Sequence, residues 1–351
     1  MVTPQLSAVL KAYGLSPDKY RWAKLGTGHI HQTFLLQAVS TADVKGSFVL
    51  QQINTMVFRS PLQLMNNWIY SADYLTRNAP TYYFLRPIPG LSGELIIQVE
   101  VAEKKMQYWR LTPFMEGRVY ETVEKPEQAF EAAASFAKFT KFMSGADTNR
   151  FVEVLPGFHD ANLRWKQLLL AEKWTKNERL AYAADALCQL KAAAWIVEQA
   201  ARLEKHLPKR IQHMDAKMSN VLFPNGLNKQ AVLLDLDTIM PATVLSDIGD
   251  MIRSMTASVS ENESDISKVY LRKDVYEAIK QAYMSEMSKG LTQVEIDNFK
   301  FAGQKMIHMQ AVRFLTDYLN GDVYYPTQTA HQNLYRCLNQ LALLDSLSRI
   351  K

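Results

Sequence analysis

The sequence predicts an α+β protein with two lobes: a small N-terminal lobe built on an antiparallel sheet with one helix, and a large helical C-terminal lobe. Before residue 111 the chain carries short runs rich in Val, Ile, Leu, Tyr and Phe, separated by turn residues. From residue 126 onward, apolar residues recur at intervals of three and four, which is typical of helices. A chain of 351 residues has room for two lobes at about 150 residues per domain.

The N-terminal region contains the segments predicted to form the sheet. One helix is predicted over 61–77, because Ser60 suits an N-cap and Pro61 suits the first helical position. The predicted strands, several of them with alternating apolar and polar residues, are 20–25, 33–39, 47–53 and 95–101.

The C-terminal region is predicted to be helical apart from one hairpin. Within 210–240, two apolar runs flank the turn dipeptide Asn225–Gly226, which predicts paired strands. The predicted helices are 126–143, 160–176, 178–207, 268–288, 293–319 and 328–348.

Composition excludes several classes of protein. The net charge is only +5 and the basic residues are scattered, so a nucleic-acid partner is not expected. No segment approaches the roughly 20 apolar residues of a membrane span, and the N-terminus does not resemble a secretory leader. Two cysteines, Cys188 and Cys337, favour a reducing compartment. We therefore expect a cytoplasmic protein with no membrane partner.

A pair of glycines stands in the segment LGTGHIHQTF, residues 25–34. His31 occupies the place of the third glycine of a dinucleotide fingerprint, and a strand follows the loop, whereas a Rossmann or Walker A loop opens a helix. A strand, a glycine loop and a second strand suit a flap over nucleotide phosphates. An ordinary hairpin turn is the alternative.

The segments IQHMDAKMSNVLF (211–223) and AVLLDLDTIM (231–240) combine residues suited to phosphoryl transfer. Such a reaction needs a carboxylate near the acceptor hydroxyl and oxygen ligands for Mg²⁺. Asp215 and Asn220 precede one strand of the predicted hairpin and Asp235 ends the other, so we expect Asn220 and Asp235 to converge. Taken singly, His213 suits a packed core histidine, Asn220 a turn residue and Asp235 a strand-end cap.

Together with further segments, this combination resembles the aminoglycoside phosphotransferase/choline kinase superfamily, whose fold is similar to that of protein kinases. Within it, the chain resembles the N-acetylhexosamine 1-kinases over most of its length. The segments that carry the resemblance are GHIHQTF, VLQQINTMVF, GFHDANLR, HMDAKMSNVLF, LLDLDTIMPATVLSDIGDMIR and VRFLTDYLNGDVYY.

The resemblance implies a division into a nucleotide-binding lobe (1–111), a hinge (112–118) and a helical lobe (119–351). It also implies ATP and Mg²⁺ as cofactors, Asp215 as the catalytic base and Asn220 and Asp235 as ligands of Mg²⁺. Asp247 would support the catalytic loop together with His213; a helix N-cap is the alternative for Asp247. The implied nucleotide-binding residues are Gly26, Thr27, Gly28, His29, Thr33, Gln51, Pro113 and Met115.

The sequence departs from the family pattern at two points. In the strand where most relatives carry a phosphate-pairing Lys or Arg, this chain reads FVLQQI and places Gln51 or Gln52 there. A neutral amide can hydrogen-bond to phosphate but supplies no charge. Asp235 is followed by Leu236 and Asp237, and Asp237 is interpreted as the solvent end of the strand rather than as an extra metal ligand.

The acceptor site has candidates in the C-terminal region, where His159, Arg164, Arg313 and Asp317 are predicted to bind substrate. A surface ion pair is the alternative for Arg313 and Asp317, which are four residues apart. The predicted function is ATP-dependent phosphorylation of the anomeric hydroxyl of an N-acetylhexosamine, with the small-molecule sugar as partner. The alternatives are a kinase for choline, an aminoglycoside or an amino acid, and a catalytically silent nucleotide-binding protein.

Overall fold

The computed structural model describes residues 4–26, 30–40, 46–101, 105–176, 178–226 and 230–350. Thr27, Gly28 and His29, which the resemblance assigns to the nucleotide, lie outside the described residues. The chain forms two compact units. The first comprises Met1–Arg118, Gly145–Leu155 and Leu222–Met240, and the second comprises Val119–Ser144, Pro156–Val221 and Pro241–Lys351.

The first unit is built on a five-stranded antiparallel sheet in the order β1-β2-β3-β5-β4. The four predicted strands are confirmed, while β5 is an addition that the sequence did not predict. Two helices accompany the sheet: α1, Pro4–Ala12, and α2, Pro61–Asn78, of which only α2 was predicted. The strands are β1 Tyr20–Lys24, β2 Gln32–Ala38, β3 Phe48–Gln52, β4 Ile97–Val101 and β5 Lys105–Pro113.

One face of this sheet forms an apolar core with α1. Leu36, Leu50 and Leu111 from three neighbouring strands are buried in the same cluster as Val9 and Leu10 of α1. Because successive side chains of a strand point to opposite faces of the sheet, the residues next to each of these leucines lie on the other face.

That opposite face carries a row of polar side chains. Thr33 of β2 lies directly opposite Gln51 of β3, and Gln51 lies directly opposite Arg110 of β5. Trp68 of α2 places its ring 4.9 Å from the Arg110 guanidinium carbon. The row is therefore covered by α2, which places a cation inside the first unit.

A smaller three-stranded sheet joins β6, Gly117–Val119, to β8, Val221–Pro224, and β8 to β9, Val232–Leu233. The predicted hairpin within 210–240 is confirmed, because β8 and β9 are hydrogen-bonded neighbours. Gly226 has a φ of +104°, a backbone conformation that glycine adopts at no steric cost. Asp235 lies two residues after the end of β9 and is the N-cap of the short 3₁₀ helix Leu236–Thr238.

The second unit contains most of the helices, together with β7, Arg210–Gln212, which pairs with β10, Met240–Ala242. The prediction of one helix over 178–207 is wrong, because three helices occupy it, and 293–319 holds two. The helices are α3 Pro126–Phe142, α4 Ala161–Trp174, α5 Glu178–Tyr182, α6 Ala184–Ala192, α7 Trp195–His206, α8 Leu245–Met255, α9 Lys273–Met287, α10 Gln293–Asp297, α11 Phe299–Leu319 and α12 Gln332–Ser348.

Helix α11 is the centre of the second unit and is buried over most of its length. Helix α8 approaches it closely at Gly249, where a Cβ would overlap the carbonyl oxygen of Ala302. This glycine of the SDIGD motif lets α8 pack tightly, and α8 carries Asp247. Among the described residues, no helix has the length and apolar character needed to cross a bilayer.

Candidate active site

The backbone of the loop between β7 and β8 is held by the carboxylate of Asp247. The two oxygens of Asp247 accept the backbone N–H groups of His213 and Met214, each at 2.8 Å. Met214 has a φ of +69°, which is uncommon for a residue other than glycine and is kept only where its surroundings hold it. Asp247 supplies that support, and the N-cap of α8 is Val244.

Asp247 is fully buried, and its protonation reflects that burial. Burial raises the pKa of Asp247 to about 6, against the opposing effects of His213 and the two backbone N–H groups. The carboxyl therefore ionises at a pH only slightly below neutral. Its ionised form accepts stronger hydrogen bonds from the loop than its protonated form does.

His213 is both a packed and a hydrogen-bonded residue. Its ring is buried and meets Phe136 edge to face, with ring centroids 5.1 Å apart. Its Nδ1 accepts the backbone N–H of Asp215 at 3.4 Å. His213 therefore supports the backbone on which Asp215 stands.

Asp215 lies at the middle of this loop between two donors. Its Oδ2 accepts Lys217 Nζ at 2.8 Å and Asn220 Nδ2 at 2.7 Å. Burial acts to raise the pKa of Asp215, but the Lys217 ammonium outweighs it, with help from His213 and Asn220, and the pKa is lowered. Asp215 is ionised at neutral pH, and its side chain remains 23% exposed.

The orientation of Asn220 suits a metal ligand. Its Nδ2 also donates to the backbone oxygen of Asp215 at 2.9 Å, so both of these hydrogen bonds use the amide nitrogen. This fixes the amide so that Oδ1 is the atom that could bind a metal ion, since amide and carboxylate oxygens are the ligands that Mg²⁺ prefers.

Asp235 belongs to the first unit and has an unusual backbone. Its φ of +53° and ψ of +60° place it in the left-handed region, between β9 and the 3₁₀ helix. The residue is exposed, and its carboxylate lies within 4.8 Å of the side-chain ligand atoms of His31 and Asp237. An exposed carboxylate in this conformation fits a divalent-cation ligand.

The interpretation of Asp237 as the solvent end of the strand is wrong, because its side chain is 0% exposed. The two Asp237 oxygens accept the two terminal nitrogens of Arg110, one of them at 2.7 Å. Oδ2 also meets His31 Nε2 at 2.6 Å. Burial acts to raise the pKa of Asp237, but Arg110 and His31 hold it well below the usual range.

His31 connects the end of the glycine segment to Asp237. Its Nδ1 accepts the backbone N–H of Asn54 at 3.1 Å. The neutral ring must then carry its proton on Nε2, which donates to Asp237. The ring also stacks on Phe58, with centroids 5.4 Å apart.

Gln51, predicted to contact phosphate, is engaged within the sheet. Its Oε1 accepts Arg110 Nε at 3.0 Å, and its Nε2 donates to Thr33 Oγ1 at 3.1 Å. Thr33, also predicted to bind nucleotide, is therefore a partner of Gln51. Gly26 has a φ of +73°, and Pro113 ends β5 with Met115 two residues beyond it. The nucleotide roles of these five residues stay predictions.

A basic cluster, which we define as His159, Arg164, Arg253, Lys305 and Arg313, lies in the second unit. His159 is where their effects meet: burial first, and then the four cations, lower its pKa well below the ordinary value. The ring is therefore neutral at pH 7. His159 Nδ1 and Arg164 Nε are buried without a hydrogen-bond partner among the described residues.

Aromatic rings surround this cluster. The Arg313 guanidinium carbon lies 5.6 Å from the Phe158 ring centroid and 5.5 Å from that of Tyr325, and Phe158 stacks on His159 at 4.5 Å. Asp215 also raises the pKa of Arg253, although burial opposes this and Asp250 contributes more. Of this cluster, Arg253 is therefore an electrostatic neighbour of Asp215.

Asp317 contacts a loop instead of this cluster. Its oxygens accept the backbone N–H groups of Val323, Tyr324 and Tyr325 at 2.8–3.0 Å, and Asn333 Nδ2 at 3.0 Å. These contacts make Asp317 the anchor of the segment that carries both tyrosines. A direct contact to substrate stays a prediction that the hydrogen bonds do not support.

The second unit thus brings together Asp215, Asn220, His213 and Asp247 through direct hydrogen bonds. Asp235 belongs to the first unit, and its convergence with Asn220 stays a prediction. Sequence reasoning missed three charged residues of these sites: Lys217, Arg253 and Arg110. Lys217 lies inside the HMDAKMSN motif and could have been found there, whereas nothing near Arg110 in the sequence points to Asp237.

Comparison with known proteins agrees with this geometry. Residues 22–280 match the model of the phosphotransferase enzyme family. An aminoglycoside phosphotransferase from Alicyclobacillus acidocaldarius matches at 15% identity with a TM-score of 0.63, covering 99% of this chain and 96% of that one. An amicoumacin kinase in complex with AMP-PNP, Ca²⁺ and Ami matches at 12% identity and a TM-score of 0.66, covering 96% and 92%. A choline kinase from Cryptosporidium parvum matches at 11% identity and a TM-score of 0.56, covering 95% and 93%.

The family match covers well over half of the chain, and the structural neighbours share its α+β fold along nearly their whole length. The predicted superfamily is confirmed. The chain belongs to the phosphotransferase enzyme family, as a small-molecule phosphotransferase.

Proposed function

We propose that this protein transfers the terminal phosphoryl group of ATP to the anomeric hydroxyl of an N-acetylhexosamine, giving the sugar 1-phosphate. The observation that carries the proposal is the ionised Asp215, which accepts hydrogen bonds from Lys217 and Asn220 and acts on Arg253 of the basic cluster. The amicoumacin kinase with AMP-PNP and Ca²⁺ supports a nucleotide and a divalent cation as cofactors.

Asp215 is the acceptor-orienting base in this proposal. Because its pKa is lowered, it is ionised at neutral pH and can accept a hydrogen bond from the sugar hydroxyl before transfer. As the sugar oxygen forms its bond to the terminal phosphorus of ATP, the bond from that phosphorus to the bridging oxygen breaks, ADP leaves, and the hydroxyl proton passes to Asp215. General-base assistance of this kind is typically worth about 10²–10⁴-fold in rate.

Asn220 Oδ1 and the Asp235 carboxylate are the proposed ligands of Mg²⁺. A bound Mg²⁺ supplies neutralisation of the charge on the transferring phosphate oxygens. The chain's own contribution is to hold these oxygens in place: Asn220 through its two hydrogen bonds to Asp215, and Asp235 through its fixed backbone.

The basic cluster distinguishes among acceptors. Choline and aminoglycosides are cationic, and Arg164 and Arg313 disfavour a positive charge, as they do on His159. Arg253 and Lys305 are paired with carboxylates. A sugar is neutral and offers hydroxyl and acetamide oxygens to the N–H groups of His159 and the arginines. The rings of Phe158 and Tyr325 supply the flat apolar surface that a sugar face packs against.

The test is ADP release with purified protein, ATP, MgCl₂ and a panel of acceptors: N-acetylglucosamine, N-acetylgalactosamine, choline, kanamycin and serine. We expect a response to the N-acetylhexosamines alone. A response to an amine or amino acid only would replace the sugar with that acceptor. Silence toward every acceptor, with ATP binding retained, would identify a nucleotide-binding protein without turnover.

Two further measurements define the acceptor chemistry. Phosphorus NMR of the product should show a phosphate coupled to the anomeric proton, and a phosphate at C6 would reject the proposed regiochemistry. Arg313→Met should raise KM for the sugar at least about tenfold, because a hydrogen bond from a charged donor is worth roughly 1.5–3 kcal/mol. Its KM for ATP is expected to stay unchanged.

A further inference from the structure

Arg110 lies in the interior of the first unit, with all of its side-chain nitrogens engaged. Its two terminal nitrogens bond to Asp237, Nε bonds to Gln51, and the ring of Trp68 covers the guanidinium. The side chain is only 1% exposed. Arg110 therefore cannot reach a phosphate, and its position needs another explanation.

An ion pair buried this deeply contributes little net stability, since removing two charges from water offsets most of their attraction. What the pair does supply is geometry. A bidentate contact between a guanidinium and a carboxylate fixes distance and plane at once. The backbone on either side of Asp237 is therefore held in place together with its side chain.

Asp235 is attached two residues upstream, and it needs to be held. The left-handed conformation costs a non-glycine residue roughly 1–2 kcal/mol, so it persists only where neighbouring contacts impose it. Downstream, Asn67 Nδ2 donates to the carbonyl oxygen of Ile239 at 2.9 Å. The segment after Asp235 is thus pinned to β5 through Asp237 and to α2 through Ile239.

We propose that Arg110 is a positioning residue that acts through Asp237 to fix the backbone of Asp235 and so the orientation of the metal-binding carboxylate. The inference rests on the proposed function, in which Asp235 is a ligand of Mg²⁺. His31 adds to the device, because its Nε2–H bonds to the same Asp237 oxygen while Asn54 holds its other nitrogen.

This proposal also explains the glutamine in β3. Gln51 lies directly opposite Arg110, and its Oε1 accepts Arg110 Nε. A Lys or Arg at position 51 would place a second cation against the first and repel it. The cation of this sheet therefore lies one strand away, where it orients a carboxylate instead of binding phosphate.

The experiment is calorimetric titration of the full chain with AMP-PNP, with and without MgCl₂, so that no turnover is needed. Asp237→Asn should reduce the tightening of AMP-PNP binding by Mg²⁺ at least tenfold, equivalent to about 1.4 kcal/mol. Binding measured without Mg²⁺ should change less than threefold. Retention of the full Mg²⁺ effect in Asp237→Asn would overturn the proposal.

A double variant separates positioning from stability. Arg110→Met combined with Asp237→Leu removes both charges, so no buried charge is left unpaired and the fold should be kept. We expect the double variant to unfold at a urea concentration near that of the wild type and still to lose the Mg²⁺ effect. If it recovered both properties, the pair would be merely structural and the proposal would be rejected.

The matched control is Glu295→Gln, which weakens a second buried ion pair, with Arg210, in the second unit. This control should lose stability but keep the full effect of Mg²⁺; a reduced Mg²⁺ effect here would attribute the loss to general destabilisation and overturn the positioning role. If the wild type itself bound AMP-PNP equally with and without Mg²⁺, the metal assignment in the proposed function would fail first, and the inference with it.

Discussion

Asp215 and Asp237 are both acidic residues held by a cation, yet the two units use them differently. In the second unit, Lys217 contacts Asp215 through one ammonium, and the two side chains are 37% and 23% exposed. In the first unit, Arg110 grips both oxygens of Asp237, and both side chains are shielded from solvent.

The difference lies in what each carboxylate has left to offer. Both oxygens of Asp237 are engaged by Arg110 and His31, and its side chain is closed to solvent. Asp215 remains partly exposed, next to a lysine whose flexible stem can move aside. The contrast agrees with the proposed roles: the carboxylate proposed to meet a substrate is partly exposed, and the one proposed to fix a backbone is buried in a bidentate pair.

The largest effect on turnover is expected at Asp215, the partly exposed carboxylate. Asp215→Asn keeps the shape and the hydrogen bonds to Lys217 and Asn220 possible but removes the proton acceptor, so turnover should fall about 10²–10⁴-fold. The free energy of unfolding should change by less than about 1 kcal/mol, as expected for a partly exposed pair. Coupled ADP release and urea unfolding measure the two, and near-normal turnover would remove Asp215 from the reaction.

At Asp237, the buried carboxylate, the effect on stability is expected to be the larger one. Asp237→Ala leaves the Arg110 charge without a partner in the interior, which typically lowers the free energy of unfolding by about 3–5 kcal/mol. Urea unfolding monitored by tryptophan fluorescence measures the loss. A loss below about 1 kcal/mol would mean that the Asp237 pair behaves like the exposed one, and the contrast would disappear.

Asp247 provides an intermediate case, buried but bonded only to backbone N–H groups. Asp247→Asn can accept fewer of these bonds, so stability at pH 7 should fall by about 1–3 kcal/mol. Because the folded-state pKa of about 6 is higher than that of the unfolded chain, the wild type binds more protons when folded, and its stability falls as pH rises from about 4 to about 6.

Urea unfolding of the wild type and Asp247→Asn at pH 4.5 and pH 7 measures this dependence. The stability difference between the two proteins should be larger at pH 4.5 than at pH 7, because only the wild type gains a proton at this site. An equal difference at both pH values would show that Asp247 keeps an ordinary pKa in the folded protein.

The smallest effect on stability is expected at Lys217. Lys217→Met should change the free energy of unfolding by less than about 1 kcal/mol, because surface ion pairs contribute little. Lys217 lowers the pKa of Asp215, so its removal should shift the acidic limb of the kcat/KM profile to higher pH. Lys268→Met, at an exposed lysine, is the control. If both variants gave the same pH profile, Lys217 would not be what lowers the pKa of Asp215.

Much of the fold could be predicted from local patterns, and the failures have physical causes. The alternation in β1 to β4 and the proline at the start of α2 are local, and these elements were predicted within a few residues. The end of strand β5 was assigned to a hinge, 112–118, by the family resemblance, and the buried Arg110 gave no local sign of a strand. Arginine is rarely buried without a partner, and this partner is 127 residues away in the sequence.

The helix predicted over 178–207 illustrates a second limit. Its alanine-rich sequence favours a helix throughout and contains no proline or glycine, yet the chain breaks at Ala183 and again at Ala193–Ala194. Ala186, Leu187 and Leu190 of α6 pack in a cluster with α11 and α12. The direction of each short helix follows from these distant contacts, which override local propensity.

The HMDAKMSN motif was found because its residues are close in sequence, whereas the residues that support its backbone were found only in part. Asp215 and Asn220 lie five residues apart and do meet. Asp247 was left between two roles, and the hydrogen bonds to His213 and Met214 decide for loop support. Arg253 could not be predicted as a neighbour of Asp215, because α8 brings it there through tertiary packing.

The long separation between Arg110 and Asp237 bears on how the protein is made. By the time the ribosome translates α3, β5 has been synthesised, but Asp237, which pairs with the Arg110 guanidinium, has not. The first unit therefore cannot bury Arg110 in an ion pair until Leu222–Met240, the segment that carries Asp237, has been synthesised. A fragment ending at Arg118 should be sensitive to proteases, because it contains all five strands of the main sheet but lacks the carboxylate that pairs with Arg110.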